Sequence, residues 1–188
     1  MHWGERRKLS SARSDSRIER ARGGDADAIG ELYAELSPCV VGYLRGSGVR
    51  DAEDVAGDVF VSMIRGLASF RGDEPAFRRW VFTIAHHRLV DALRKQAVRA
   101  LRLPNDEPGG ATEDPYDRVL DRVDAAPAVS ALARLTSEQR DVVLLRSVVG
   151  LSVADTAAVL KKSSGAVKTL HRRALAALAR LVDGETVS

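Results

Sequence analysis

From Lys161 to Arg180 the chain runs through a helical apolar repeat without one acidic residue. Val167, Leu170, Leu175 and Leu178 recur at roughly helical spacing, which predicts a helix, and Lys168, Arg172 and Arg173 lie among them. A solvated helix ordinarily mixes its charges, so a one-signed helix points to a polyanion. The residues just before it tighten the constraint. Ser152 followed three residues later by Asp155 is a capping-box-like helix start. Thr156, Val159 and Leu160 give that short helix a modest apolar face, Lys161 to Ser163 break the pattern, and Ser163 or Ser164 can cap the next helix. Two helices across a tight break, the second of them basic, read as a helix-turn-helix whose second helix touches DNA.

The preceding sequence also reads as helix. Ile29, Leu32, Tyr33 and Leu36 mark a first helix, Ser37-Pro38 is expected to open a second through Tyr43 and Leu44, and Gly46-Ser47-Gly48 stops it. A third helix is expected from about Asp51 to Phe70, with Val55, Val59, Met63, Ile64 and Leu67 as its buried stripe. Arg71 to Pro75 reads as a loop, and a long helix follows with Phe77, Val81, Ile84, Ala85 and Leu89 as core. Pro104, Pro108, Gly109, Gly110 and Pro115 then punctuate an acidic stretch, which predicts a flexible linker. Helix returns near Ala128, with a capping box at Thr136-Ser-Glu-Gln139 and a stop at Gly150. The fold class is all-α: two small helical domains, residues 25–101 and 127–183, each with its own small core. An acidic linker, 102–126, joins them, and a basic arm, 1–24, precedes them and is expected to be flexible.

Composition removes several function classes. The single cysteine, Cys39, has no partner for an internal disulfide. No apolar run approaches the roughly 18 residues of a membrane span, and the first residues lack the apolar core of a secretion signal. A cytoplasmic chain with no membrane association is expected. No glycine-rich phosphate loop, nucleophile–base signature or paired metal ligands appear, so no catalytic residue, cofactor or metal is expected. Adjacent His86 and His87 point about 100° apart on a helix and cannot chelate one metal from one face. The net charge of +3 is small, but its distribution is informative: basic residues crowd the arm, the stretch 71–102 and the last helix.

Three segments sharpen this picture: DAEDVAGDVF (Asp51 to Phe60), RGDEPAFRRW (Arg71 to Trp80) and IAHHRLVDALRK (Ile84 to Lys95). In that order, and followed by the helix-turn-helix, they resemble the extracytoplasmic-function sigma factors, the minimal two-domain branch of the sigma-70 family. The resemblance runs from about Asp25 to Leu181. It implies a region 2-like and a region 4-like domain that bind core RNA polymerase, through its β′ clamp helices and β flap, and promoter DNA. Relatives of this kind are often held by an anti-sigma factor.

The resemblance also implies sites. Asp51, Glu53, Asp54 and Asp58 would meet the clamp helices, where an acidic edge suits a basic coiled coil. Arg71, Arg78, Arg79, Phe82, His87 and Arg88 would open and read the −10 element, the loop before the long helix taking a flipped-out base. Most rings here, Phe77 and Trp80 above all, are expected to be packing residues. Ser164, Gly165, Lys168, Thr169, Arg172 and Arg173 would read the −35 element. The sequence departs from the family pattern at Gly57, usually glutamine, and at His87, commonly asparagine. It departs again at Lys161, often glycine, and at His171, often apolar. Gly57 is expected to mark a close helix approach, Lys161 a slightly strained turn, and His171 a half-buried histidine. The alternative is a stand-alone helix-turn-helix regulator, with 25–99 as a dimerisation or ligand domain. Two basic DNA-facing regions separated by an acidic tether favour the sigma factor.

Overall fold

A computed structural model describes residues 15–102 and 130–185. Residues 1–14 of the arm and almost all of the acidic linker, Glu113, Asp114 and Asp117 included, lie outside the described residues. Among the described residues every regular element is helical: α1 (15–22), α2 (Ala26–Gly46), α3 (Ala52–Leu67), α4 (Glu74–Arg102), α5 (Ser137–Val143), a π-helical turn (Leu144–Val148), α6 (Val153–Leu160) and α7 (Ser164–Glu185).

Residues 15–22 of the arm form α1, because Ile18 and Ala21, three residues apart, share a face that is buried against the domain. Asp25 then caps α2, its side chain accepting from the Ala28 backbone N–H at 3.1 Å. Sequence reading places a helix boundary at Ser37-Pro38; the structure has none, and Pro38 sits inside one continuous helix. A proline in a helix interior costs about 3 kcal/mol. Leu32, Leu36, Val40, Tyr43 and Leu44 form an unbroken buried stripe on both sides of it. Each such side chain contributes about 1.5–3 kcal/mol when fully buried, so the stripe outweighs the one missing hydrogen bond.

Val59, Met63 and Leu67 of α3 and Phe77, Val81, Ala85 and Leu89 of α4 are buried in the same cluster, as their spacing predicts. Ile64 departs from that pattern and is 47% exposed. Its register places it at the edge of the stripe, where Phe60 takes the buried position instead. The close helix approach expected at Gly57 occurs at Gly66. A Cβ on Gly66 would lie 2.7 Å from the Trp80 ring, whereas one on Gly57 would meet nothing within 4 Å.

The two modules do not keep separate cores. Leu144, Leu145, Val149, Leu151 and Val159 join the apolar cluster of α2 to α4. The junction depends on Gly46, where a Cβ would lie 2.9 Å from a Leu144 methyl. Across it, Arg140 donates to the Ser47 carbonyl at 3.4 Å, and α6 packs on α4. Two smaller clusters tie the second module together: Leu135, Val143 and Ala174, and Val142, Ala157 and Val167. Ala174 takes the core position that spacing assigns to Leu175, which is exposed.

One acid is caught at this junction. Burial raises the Asp141 carboxyl to about 6; Glu138 pushes the same way, and Arg140 and Lys162 oppose it. Burial, with the Asp141 charge adding to it, holds the Tyr43 phenol well above 10.

Two predictions follow from packing and charge. Gly57→Ala should stabilise the chain by up to about 1 kcal/mol, while Gly66→Ala should destabilise it by about 1–3 kcal/mol through overpacking against Trp80; urea unfolding measures both. Asp141 has a folded pKa above its unfolded value of 3.8, so its protonated form favours folding below pH 4. That contribution is lost as pH rises to about 6. Asp141→Asn should therefore match the wild type near pH 4 and exceed it above pH 6 by at most about 3 kcal/mol.

Candidate nucleic-acid and polymerase surfaces

The helix-turn-helix is set by local caps. Ser152 Oγ accepts from the Asp155 backbone N–H at 3.0 Å, and Ser163 Oγ accepts from Ala166 N–H at 3.1 Å. Between the helices Lys161 adopts φ 53° and ψ 43°, the only non-glycine residue with positive φ among the described residues. The Lys162 N–H closes the turn onto the Ala157 carbonyl at 2.9 Å. A left-handed residue other than glycine costs roughly 1–2 kcal/mol, which is the strain expected of a lysine at this turn.

Buried Val167 and Ala174 fix the inner face of α7. Gly165, Lys168 and Arg172 stand on the opposite face, with Ser164 and Arg173 also exposed and Thr169 half-buried at the margin. Lys168, Arg172 and Arg173 make no ion pair with any described residue. The helix therefore offers a one-signed face behind an N-terminus whose dipole favours anions. His171 is half-buried; burial, then Arg146, lowers its pKa. It stays uncharged at neutral pH and does not extend the basic face.

Several basic residues in and just before α4 are guarded. Arg78 lies 3.7 Å from Glu35, and Arg79 pairs with Asp155 of α6 at 2.9 Å. Arg88 donates to Ser62 Oγ at 2.9 Å, and Arg71 donates to the Ala68 and Phe70 carbonyls. His87 is exposed. Phe82 must be removed from the base-contacting set. It is fully buried and packs edge-on against Tyr43, with ring centroids 6.0 Å apart, because its position on α4 faces the α2 stripe. Phe77 is buried, and Trp80 stacks on Phe70 at 5.2 Å. Of the rings near the loop, Phe70 and Trp80 keep partial exposure.

Beneath α6, the Tyr43 hydroxyl and His86 Nδ1 share a hydrogen bond at 2.9 Å. Burial, with help from His87 and Lys161, lowers the His86 pKa. Sequence reasoning gave no signal for this pair, nor for Glu35 and Asp155 as partners of α4 arginines, because each contact is set by tertiary packing. Asp155 was legible only as a capping residue.

On α3, about 100° per residue places Asp51, Asp54 and Asp58 along one exposed stripe, with Gly57 open beside them. Glu53 points elsewhere and pairs with Arg45. The structure thus brings three of the four expected acids together. Among the described residues no group of three or more His, Cys, Asp or Glu side chains could hold a metal ion, and no helix is long and apolar enough to cross a membrane.

Comparison with known proteins covers both modules. Residues 32–99 match the Sigma-70 region 2 family and residues 127–178 match Sigma-70, region 4. The ECF RNA polymerase sigma factor BldN of Streptomyces coelicolor is 38% identical over 180 residues, covering 93% of this chain and 68% of that protein. The sigma factor ShbA of Streptomyces griseus is 34% identical, covering 88% and 93%. The solved structure of CnrH in complex with the cytosolic domain of CnrY superposes with a TM-score of 0.65 at 27% identity, covering 91% of this chain and 97% of CnrH.

Proposed function

Because this chain belongs to the extracytoplasmic-function branch of the sigma-70 family, sigma factors that direct RNA polymerase to initiate transcription, we propose a division of labour between its modules. The α7 face reads the −35 duplex, the Arg71 loop and α4 open and read the −10 strand, and the α3 acids meet the polymerase clamp. The observation that carries this reading is the basic face of α7, formed by Gly165, Lys168 and Arg172 and unpaired among the described residues, in a chain that carries a second, guarded basic surface on α4. A stand-alone regulator needs only the first.

The roles follow from chemistry. Lys168 and Arg172 supply cationic donors, the arginine able to take two acceptors of one base at once. Ser164 and Gly165 bring backbone N–H groups toward phosphate. Arg71 in the loop and Arg78, Arg79, His87 and Arg88 on α4 line the strand path, and Phe70 or Trp80 replaces Phe82 as the ring available for stacking. Asp51, Asp54 and Asp58 supply the acidic edge, and Glu53 is a structural partner of Arg45. The chain acts without catalysis of its own. As CnrH is bound by the cytosolic domain of CnrY, a protein inhibitor is an expected partner.

Reading by Arg79 requires its pair with Asp155 to open. The Arg79 side chain is 44% exposed and that of Asp155 17% exposed, so a phosphate can approach the guanidinium from solvent and replace the carboxylate as its anionic partner.

Run-off transcription with purified core polymerase tests the reading: promoter-specific initiation must depend on this protein. Duplex binding with no effect on core-driven initiation would overturn it. Lys168→Ala should flatten the dependence of log affinity on log salt by about 0.9, the value of one phosphate contact. Arg172→Ala should reduce discrimination against a mutated −35 site by about 1–3 kcal/mol. Binding titrations at several salt concentrations measure both.

A further inference from the structure

The helix α1 carries none of the residues assigned to DNA or polymerase, yet it reaches the base-capturing loop. Asp15 Oδ1 accepts from the Glu74 backbone N–H at 3.0 Å, across 59 residues of sequence. Glu74 is the first residue of α4, directly after the Arg71 to Asp73 loop. The donors at this helix start can be accounted for one by one. Pro75 has no N–H, Ala76 N–H is capped by Asp73 Oδ1 at 3.0 Å, and Phe77 N–H bonds the Asp73 carbonyl at 2.9 Å. Glu74 N–H is the donor left over, and Asp15 takes it. A carboxylate there also suits the positive end of the α4 dipole.

A second tie runs beside the first. Glu35 of α2 pairs with Arg17 of α1 and lies 3.7 Å from Arg78 in the first turns of α4. Buried Ile18 seats α1 between them. The loop itself has little freedom: Gly72 at φ 146° leaves no room for a Cβ against Ala76 and Phe70, and Arg71 is bonded back to the end of α3. Its junction with α4 is therefore held from outside the α3–α4 hairpin by Asp15.

We propose that Asp15 is a positioning residue for promoter opening. It fixes the end of the Arg71 to Asp73 loop and the first turn of α4 in the geometry that receives an unpaired −10 base, without touching DNA. This rests on the assignment of that loop and α4 to the −10 element. Asp15→Ala should leave Ile18 and Ala21 to hold α1 in place, so the chain still folds. Asp15→Asn retains an acceptor oxygen for Glu74 N–H.

The test uses the full chain with core polymerase on two templates: a fully duplex promoter, and the same promoter already unpaired over the −10 element. Asp15→Ala should slow opening of the duplex promoter, read by permanganate reactivity of unpaired thymines, about fivefold to tenfold, the scale of one lost helix cap. On the unpaired template its defect should shrink below twofold, and Asp15→Asn should recover most of the duplex rate. Equal loss on both templates would reduce Asp15 to a folding role and overturn the proposal. Faster opening by Asp15→Ala would overturn it too, since Asp15 would then be occupying an anion site that a DNA phosphate needs. Absence of initiation with the wild-type chain on either template would instead fail the sigma-factor assignment.

Discussion

The buried stripe of α2 from Ala28 to Leu44 positions both halves of this molecule, because it is in contact with each of them. Against α3 and α4 it forms the core that sets the direction of the α4 arginines. At its C-terminal end, bare Gly46 admits Leu144 and so docks the second module. The same stripe explains why Pro38 is tolerated and why Phe82 is turned inward. A side chain that lines up with Tyr43 is committed to packing, whatever its chemistry offers a nucleic acid. Burial is the larger energy, and it decides which side chains remain for DNA.

Much of the site was legible in the sequence where its determinants are local. Caps at Thr136, Ser152 and Ser163 depend on residues two or three positions away, and all three form. The one-signed face of α7 needs only helical spacing and charge. The features that escaped depend on distant residues. Periodicity identifies an apolar face but not its edges, so Ile64 and Leu175 lie outside the core and Phe82 lies within it. A glycine in a helical pattern marks either open surface or close approach, and only the position of Trp80 separates Gly57 from Gly66. The shared core of the two modules escaped for the same reason, since an acidic tether gives no signal that the modules it joins will touch.

The two basic surfaces are held in different states. Lys168, Arg172 and Arg173 make no ion pair with any described acid, whereas Arg78 and Arg79 are answered by Glu35 and Asp155. An open basic face binds any polyanion with a strength set by salt, and that suits a helix whose first task is to find duplex DNA. A surface meant for a single strand gains from weak guarding. Each guarding carboxylate discourages stray contacts with duplex, and a correctly placed phosphate can take its place as the arginine's anionic partner.

That difference also places the burden of the closed arrangement on apolar contact. Among the described residues one ion pair, Arg79 with Asp155, spans the junction, and the Arg140 bond to Ser47 is long at 3.4 Å. What remains in favour is the fit of Leu144, Leu145, Val149 and Leu151 against α2 and its neighbours. Such a contact is non-directional and can be exchanged for another apolar surface of similar shape, so separation of the modules is opposed mainly by packing. Any partner that offers a matching face to either side of that seam competes on equal terms with the chain's own other half.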